Sequence, residues 1–590
     1  MINLDPQQRA VVETKSPRAL CLAGAGSGKT RSLIERIAHL VENCKVHPSE
    51  VLAFTFTRKA AGEIGSRLEE RIGADAFGVT MGTMHGVALN YIQRFAEMIG
   101  LRRGKITVYS QWEQDFLLKE IAMELGLHTG KSWRKGLKKK DVDALFSGYY
   151  ERGVWPSPNA PGHDLFKTFL QRCRENNALT YGTILVEFRA LLPKIAQYIN
   201  IRHLMVDEAQ DNDPLQWLIV NQIVELTGAD LFVVADVDQS IYSFRGAVPE
   251  YLVNNADSFD LYKIETNYRS TPEVVTAANT LIEHNISRLP KTMVPSRPSS
   301  NDPVVTTTGQ DSEAICEYVA SDLFSRAWED VAIIARNHAL LNKISDALTE
   351  KGIPNTYTGK ESKLTNSEEF RRFHAFLKLI ANPYDNFSFL LIKDLIGVSD
   401  LSGIRLQAVQ EGKSQFQVWV ESGPDVDPFK NIGHMDFDAA IDHFAFWCQS
   451  LFGISDIAAF AKAWGLAEPN IRDTACDESP IQNYLKWLAT YDIQDEIEDE
   501  PEGVQIMTIH AAKGLEFPVV IVAGVNDGIL PSKHGLKSED EMESERRLAY
   551  VGWTRAESQL ILAVRPEEKL DDYGRLHKNP ASRFIEESGL

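Results

Sequence analysis

Arg18-Ala19-Leu20-Cys21-Leu22-Ala23 is an apolar run of strand length, and Gly24-Ala25-Gly26-Ser27-Gly28-Lys29-Thr30 follows it without a break. Leu33, Ile34, Ile37, Ala38 and Val41 then recur at helical spacing. Strand, glycine-rich turn and amphipathic helix in that order are the context of a phosphate-binding loop. The glycines let successive backbone N–H groups turn inward around phosphate oxygens, and the helix N-terminus adds positive potential. Ala23 to Thr30 are thus the expected cradle, with Lys29 reaching the β- and γ-phosphates and the Thr30 hydroxyl on Mg²⁺.

Outward from this loop the same rhythm repeats. Val51 to Phe56 reads as a strand and Ala60 to Ile72 as a helix, a βα succession that builds a parallel sheet. From Leu89 to Asn176 the pattern turns helical with no clear buried strand, an expected insertion. It contains Lys131 to Lys140, with six positive charges and no acid, which is either a solvated face or a contact to duplex phosphates. Strands return at His203 to Val206 and Leu231 to Ala235. Val331 to Ala335, Val519 to Ala523 and Leu560 to Val564 imply a second α/β core, interrupted by a mainly helical stretch from about Tyr384 to Glu502. The acids crowded between Asp492 and Glu502 read as a solvated linker.

Composition limits the function classes. At roughly 150 residues per domain, 590 residues suggest about four domains or subdomains. A 44% hydrophobic and 24% charged chain is an ordinary globular one. Its 62 basic and 82 acidic residues sum to −20, so any nucleic-acid contact has to be a local track. No apolar run nears the roughly 18 residues that span a bilayer, and no membrane partner is expected. Met1 to Asp5 lacks a leader's basic and apolar regions, and the six cysteines are scattered without CxxC spacing, so a reducing cytoplasmic setting is expected.

A phosphate-binding loop that hydrolyses its nucleotide needs a second carboxylate for the metal and a base for water. His203-Leu-Met-Val-Asp207-Glu208 supplies both at a strand end. Asp207 is placed to hold Mg²⁺, and Glu208 to orient and deprotonate the attacking water. This pair favours nucleoside triphosphate hydrolysis over transfer to a small acceptor.

The motifs then follow one another in a specific order. They run Gln8, AGAGSGKT, FTFTRKAAGEI from Phe54, GTMHG from Gly82, VDEAQD from Val206, ADVDQSIYSFRGA from Ala235, ETNYRST from Glu265, MTIHAAKGLEF from Met507 and ERRLAYVGWTRA from Glu545. This succession resembles the superfamily 1A DNA helicases of the UvrD, Rep and PcrA kind, over essentially the whole chain. The resemblance implies an α/β fold of two RecA-like cores with parallel sheets, ATP between them, and a mainly helical insertion in each. On that pattern residues 1–88 and 177–264 form the first core and 89–176 its insertion. Residues 265–383 and 503–590 form the second core, and 384–502 a shortened second insertion.

The resemblance also implies roles. Gln8 reads the adenine edge, Arg31 and Tyr268 sandwich its ring, and Glu516 contacts the ribose. Gln239 senses the γ-phosphate, and Arg269 and Arg555 act as arginine fingers from the second core. Phe56, Tyr242 and Phe244 line the path of single-stranded DNA, with Arg245, His85, Arg336, Asn337, Thr508 and His510 as polar contacts. Tyr242-Ser-Phe244-Arg245 puts two aromatics and a cation within four residues, which suits stacking on base faces without reading sequence. Tyr573-Gly574 resembles the tip of a strand-separating hairpin.

Some positions depart from the pattern. Phe244 stands where tryptophan is usual, Val237 where an acid is usual, and Thr180-Tyr-Gly-Thr183 lacks an acidic pair. A partner-recruiting tail after Phe584 is not expected. The expected activity is a Mg²⁺- and ATP-dependent helicase moving 3′ to 5′ on single-stranded DNA and at single-strand/duplex junctions, as a monomer or weak oligomer. A translocase that strips proteins without unwinding, and a non-catalytic binding subunit, are the alternatives.

Overall fold

The computed structural model describes residues 4–133, 137–300, 304–321, 327–358, 368–422, 480–489, 502–566, 568–570 and 576–590. Two six-stranded sheets organise it, and every strand pairing within them is parallel. The first sheet contains β1 (Arg18–Ala23), β2 (Val51–Thr55), β3 (Thr80–Thr83), β4 (His203–Val206), β5 (Asp230–Ala235) and β6 (Asp260–Ile264). Their spatial order is β3-β2-β4-β5-β1-β6, with Leu20 opposite Val233 and Ala53 opposite Met205. Residues 19–23, 51–55 and 231–235 are buried, as a parallel sheet covered on both faces requires.

The second sheet contains β7 (Val305–Thr307), β8 (Val331–Ala335), β9 (Asn355–Tyr357), β10 (Val504–Thr508), β11 (Phe517–Ala523) and β12 (Ala556–Ala563). Their order is β7-β12-β11-β8-β10-β9. The fold is therefore α/β with two parallel-sheet cores. The short strands β3, β7 and β9 were not legible in the sequence, because three or four residues show no periodicity.

Both insertions differ from expectation at their edges. Helix Met84–Arg94 crosses the expected boundary at 88, and its Leu89 and Ile92 belong to the cluster that packs on the first sheet. The first insertion also holds a strand, Thr107–Tyr109, paired in parallel with Ala178–Thr180. Around it, helices Gln111–Glu124, Lys139–Arg152 and His163–Glu175 bury Tyr109, Phe146, Phe166 and Phe169 together. Helix Glu368–Ala381, expected on the second core, packs instead with Phe389, Trp419 and Tyr484 of the second insertion. The two insertions meet through a buried Lys378–Glu113 ion pair and a 2.6 Å hydrogen bond from the Tyr109 hydroxyl to Asp385.

Two departures have structural explanations. Thr180 caps helix Tyr181–Ile195, accepting from Thr183 N–H while its own N–H donates to Thr183 Oγ1. The threonine pair thus closes the helix start by a reciprocal cap. Val237 is buried in the hydrophobic cluster of the first core. The Lys131 to Lys140 run is not one helix face: Lys138 to Lys140 are exposed at a helix start, and residues 134–136 lie outside the described residues. Tyr573 and the acidic stretch from 492 to 501 also lie outside them. Among the described residues no helix is long and apolar enough to cross a membrane.

Candidate nucleotide and nucleic-acid site

The site sits where β1 and β4 of the first sheet end, and it faces the second core. At the end of β1, the Gly24 N–H still donates to Ile264 of β6 at 3.1 Å, after which the chain turns out of the sheet. Gly26 and Gly28 have φ of 63° and 83°, the left-handed region that glycine enters freely. Ser27 Oγ closes the turn by donating to the Gly24 carbonyl at 2.8 Å. Helix Lys29–Glu42 starts there, with Thr30 half-buried in its first turn.

Residues 267–269 lie directly on this loop. The Tyr268 N–H donates to Gly26 O at 2.9 Å, and Asn267 Nδ2 to Ala25 O at 2.7 Å. A Cβ on Gly26 would fall 2.6 Å from Arg269 Cβ, so the cradle stays open only because that residue is glycine. On the outer side, buried Gln8 donates from Nε2 to Ser27 O at 3.0 Å. Tyr268 is 44% exposed, with its hydroxyl 2.6 Å from Asp5 Oδ2, and the exposed Arg31 is close enough for its charge to act on the phenol. Gln8, Arg31 and Tyr268 thus border one side of the loop.

Asp207 and Glu208 follow β4. The Asp207 N–H donates to Phe54 O at 2.9 Å, which fixes the carboxylate at the strand end. Glu208 takes a left-handed φ of 46°, and its Oε1 lies 3.1 Å from Lys29 Nζ. Burial alone would raise the Glu208 pKa, but Lys29 and Lys513 outweigh it and hold the carboxyl down at about 2. Asp207 goes the other way: burial and the charge of Glu208 push it up to about 7. A buried carboxylate at a strand end, with the Lys29 amine close to its neighbour Glu208, is a set of groups that fits a Mg²⁺–triphosphate.

The second core supplies the facing groups. Arg269 Nε lies 2.6 Å from Glu516 Oε2, and its Nη1 donates to Thr554 O at 3.2 Å. Glu516, expected at the ribose, here orients Arg269. Arg555 is fully buried and donates to Val551 O at 2.9 Å, Leu515 O at 3.0 Å and Thr554 Oγ1 at 3.1 Å. Burial and the neighbouring Arg269 lower its pKa to about 9, while Glu208 is near enough to oppose them. Gln239 donates from Nε2 to Asp236 Oδ2 at 2.6 Å.

An aromatic stack continues from here. Phe56 stacks on Tyr242 with centroids 4.8 Å apart, and Phe244 lies 6.0 Å from Tyr242 and 5.4 Å from His510. Tyr242 is only 3% exposed and so supports the platform, whereas Phe244 is 68% exposed and offers a ring face. Arg245 sits 5.4 Å over the Tyr242 ring. Burial, with Arg336 and Lys513 nearby, lowers His510 to about 4 and leaves its imidazole neutral. Arg336 follows β8, whose last residue Ala335 pairs with Thr508 at the end of the adjacent strand β10. Arg336 pairs with Glu545 at 3.1 Å, Asn337 caps helix His338–Glu350, and Thr508 Oγ1 accepts from Ala511 N–H. His85 stands apart from this cluster, stacked 3.9 Å from Tyr181 and held neutral by burial, which pushes its pKa down to about 3.

Comparison with known proteins gives this geometry a family. Residues 4–260 match the UvrD/REP helicase N-terminal domain, and residues 262–405 and 469–566 match the UvrD-like helicase C-terminal domain. The ATP-dependent DNA helicase PcrA of Bacillus subtilis is 30% identical over 99% of this chain and 85% of its own. The chain belongs to the UvrD-like helicase family. PcrA of Leuconostoc citreum (28%, covering 99% of this chain and 84% of its own) and UvrD1 of Mycobacterium leprae (28%, 99% and 85%) are similar at the same scale.

In this UvrD-like helicase, sequence reasoning passed over Lys513, Gln210 and Asp211. Lys513 Nζ pairs with the fully buried Asp211 carboxylate, donates to Gln239 O at 2.8 Å, and lies 5.0 Å over the Tyr242 ring. Gln210 donates to Glu208 and accepts from the Asp236 N–H at 2.9 Å. The signal was available: a lysine in HAAKG and an amide and acid in DEAQD are unusual groups to bury.

Proposed function

We propose that this chain is an ATP-dependent DNA helicase that moves 3′ to 5′ along single-stranded DNA and separates duplex ahead of it. The direction follows from the family resemblance. One observation carries the rest: Lys513, on the second core, touches Gln239, the expected γ-phosphate sensor, and also lies over the Tyr242 ring that neighbours Phe244. Nucleotide chemistry and strand grip therefore share a side chain.

In this mechanism the loop amides and Lys29 hold phosphate, and Gln8, Arg31 and Tyr268 hold the base. Mg²⁺, when held by Thr30 and Asp207, supplies charge neutralisation at the phosphates. Glu208, kept ionised by Lys29 and Lys513, takes the proton of the attacking water. Lys29 has to leave Glu208 for phosphate before that carboxylate can act. Arg269 and Arg555 deliver positive charge to the transferring group from the opposite core, an effect of about 10³–10⁵ in rate for such residues. Closure of the cores is thereby required for turnover, and Phe244 with Arg245 converts that closure into movement along the strand.

The test is unwinding of 3′-tailed, 5′-tailed and blunt duplexes with ATP, beside ATP turnover with and without single-stranded DNA. Strand separation on the 3′-tailed substrate alone is the expected result. Stimulated turnover without strand separation would reduce the reading to a translocase, and unstimulated turnover would reject it.

A further inference from the structure

The loop that carries Gln239 is anchored by a buried cluster of four charges. Asp236 and Asp238, whose side chains are fully buried, come from the end of β5. Their partners are Lys291, 2% exposed, and Arg288, 10% exposed, with Lys291 Nζ 2.5 Å from Asp236 Oδ1 and also paired with Asp238. Arg288 grips Asp238 with two bonds, Nε to Oδ1 at 3.1 Å and Nη2 to Oδ2 at 2.7 Å. Two acids and two bases leave the cluster neutral.

The partners come from opposite cores. Arg288 and Lys291 follow helix Pro272–Ile282, which packs with residues of the second sheet and with helix Glu539–Trp553. Tyr550 of the latter helix covers Lys291, its ring centroid 5.9 Å from Nζ. Across the cluster, the other oxygen of Asp236 receives the side-chain amide of Gln239 at 2.6 Å. A continuous path thus runs from the second core through Lys291 and Asp236 to the Gln239 amide.

We propose that Asp236 and Lys291 are positioning residues for Gln239, through which the placement of the second core sets the aim of the amide during turnover. The inference rests on the functional reading above and adds to it the route by which one core controls a group on the other. Cohesion alone is a weak reason to bury four charges, because well-packed apolar groups would join the cores without the desolvation cost. The cluster also lies beside the loop it would have to steer.

The test uses two variants of the full chain. Asp236→Asn is isosteric and leaves Lys291 its partner Asp238. Asp236→Asn with Lys291→Met removes one charge of each sign. Both are expected to lower the kcat of DNA-stimulated ATP turnover at least about tenfold, with KM for ATP and the Kd for single-stranded DNA changed less than about threefold. Adding either change to Gln239→Ala is expected to cost nothing further, a non-additivity that a purely structural cluster would not produce. Additive losses, or unchanged kcat in Asp236→Asn, would overturn the proposal alone. Wild-type turnover that DNA fails to stimulate would overturn the functional reading and this proposal together.

Discussion

The ammonium of Lys513 donates to the main-chain carbonyl of Gln239 at 2.8 Å, joining the loop after β10 to the loop after β5. The same amine neutralises the buried Asp211, whose carboxyl burial raises to about 6. Lys513→Ala is expected to cut DNA stimulation of ATP turnover at least about tenfold, in the range of ordinary coupling energies. It also strands Asp211, so its stability deficit should be larger at pH 8 than at pH 5.5, where the acid is protonated. Turnover with and without oligonucleotide, and melting at both pH values, check the two effects.

Glu208 presents the carboxylate that Lys29 holds ionised. Glu208→Gln keeps the shape and removes the base. Equilibrium binding of a fluorescent ATP analogue is expected to stay near wild type, while hydrolysis falls by at least about 10²-fold. Unchanged turnover would remove Glu208 from this role.

Phe244 offers its ring to solvent on a buried aromatic base. Phe244→Ala should therefore leave the melting temperature unchanged and weaken single-strand affinity by about 1–3 kcal/mol. Titration of labelled oligonucleotides of differing sequence should show a similar loss for each, since a ring face does not read base edges.

Asp213 caps helix Pro214–Thr227, and burial, with Glu151 adding repulsion, pushes its pKa up to about 7 from 3.8. A raised acid binds protons in the folded state that the unfolded chain has released, so its contribution to stability falls as pH climbs from about 4 through 7. Asparagine caps as well without a charge. Asp213→Asn is expected to stabilise by at least about 1 kcal/mol at pH 8 and to have no effect near pH 4, read by denaturant melts at both values.

Much was legible in the chain itself. Residues 18–30 specify strand, loop and helix because an apolar run, positive-φ glycines and a helical repeat are local properties. The position of the Asp207–Glu208 pair was legible because two acids directly after an apolar run of strand length are a local pattern. Strands such as Thr107–Tyr109 were not, since three residues carry no period. The boundary at 383 came from the family pattern, and the packing of helix Glu368–Ala381 on Phe389, Trp419 and Tyr484 is a tertiary contact that no local pattern carries.

What the sequence determined alone is the inventory: the phosphate loop, the acids, the arginines and an aromatic run, each set by local chemistry. Which groups touch was decided by the tertiary structure. Asp236 and Lys291 are 55 positions apart, and Gln239 and Lys513 are 274. Buried charges reveal their partners only when desolvation forces them together, and that requirement has no signature in the spacing of residues along a chain.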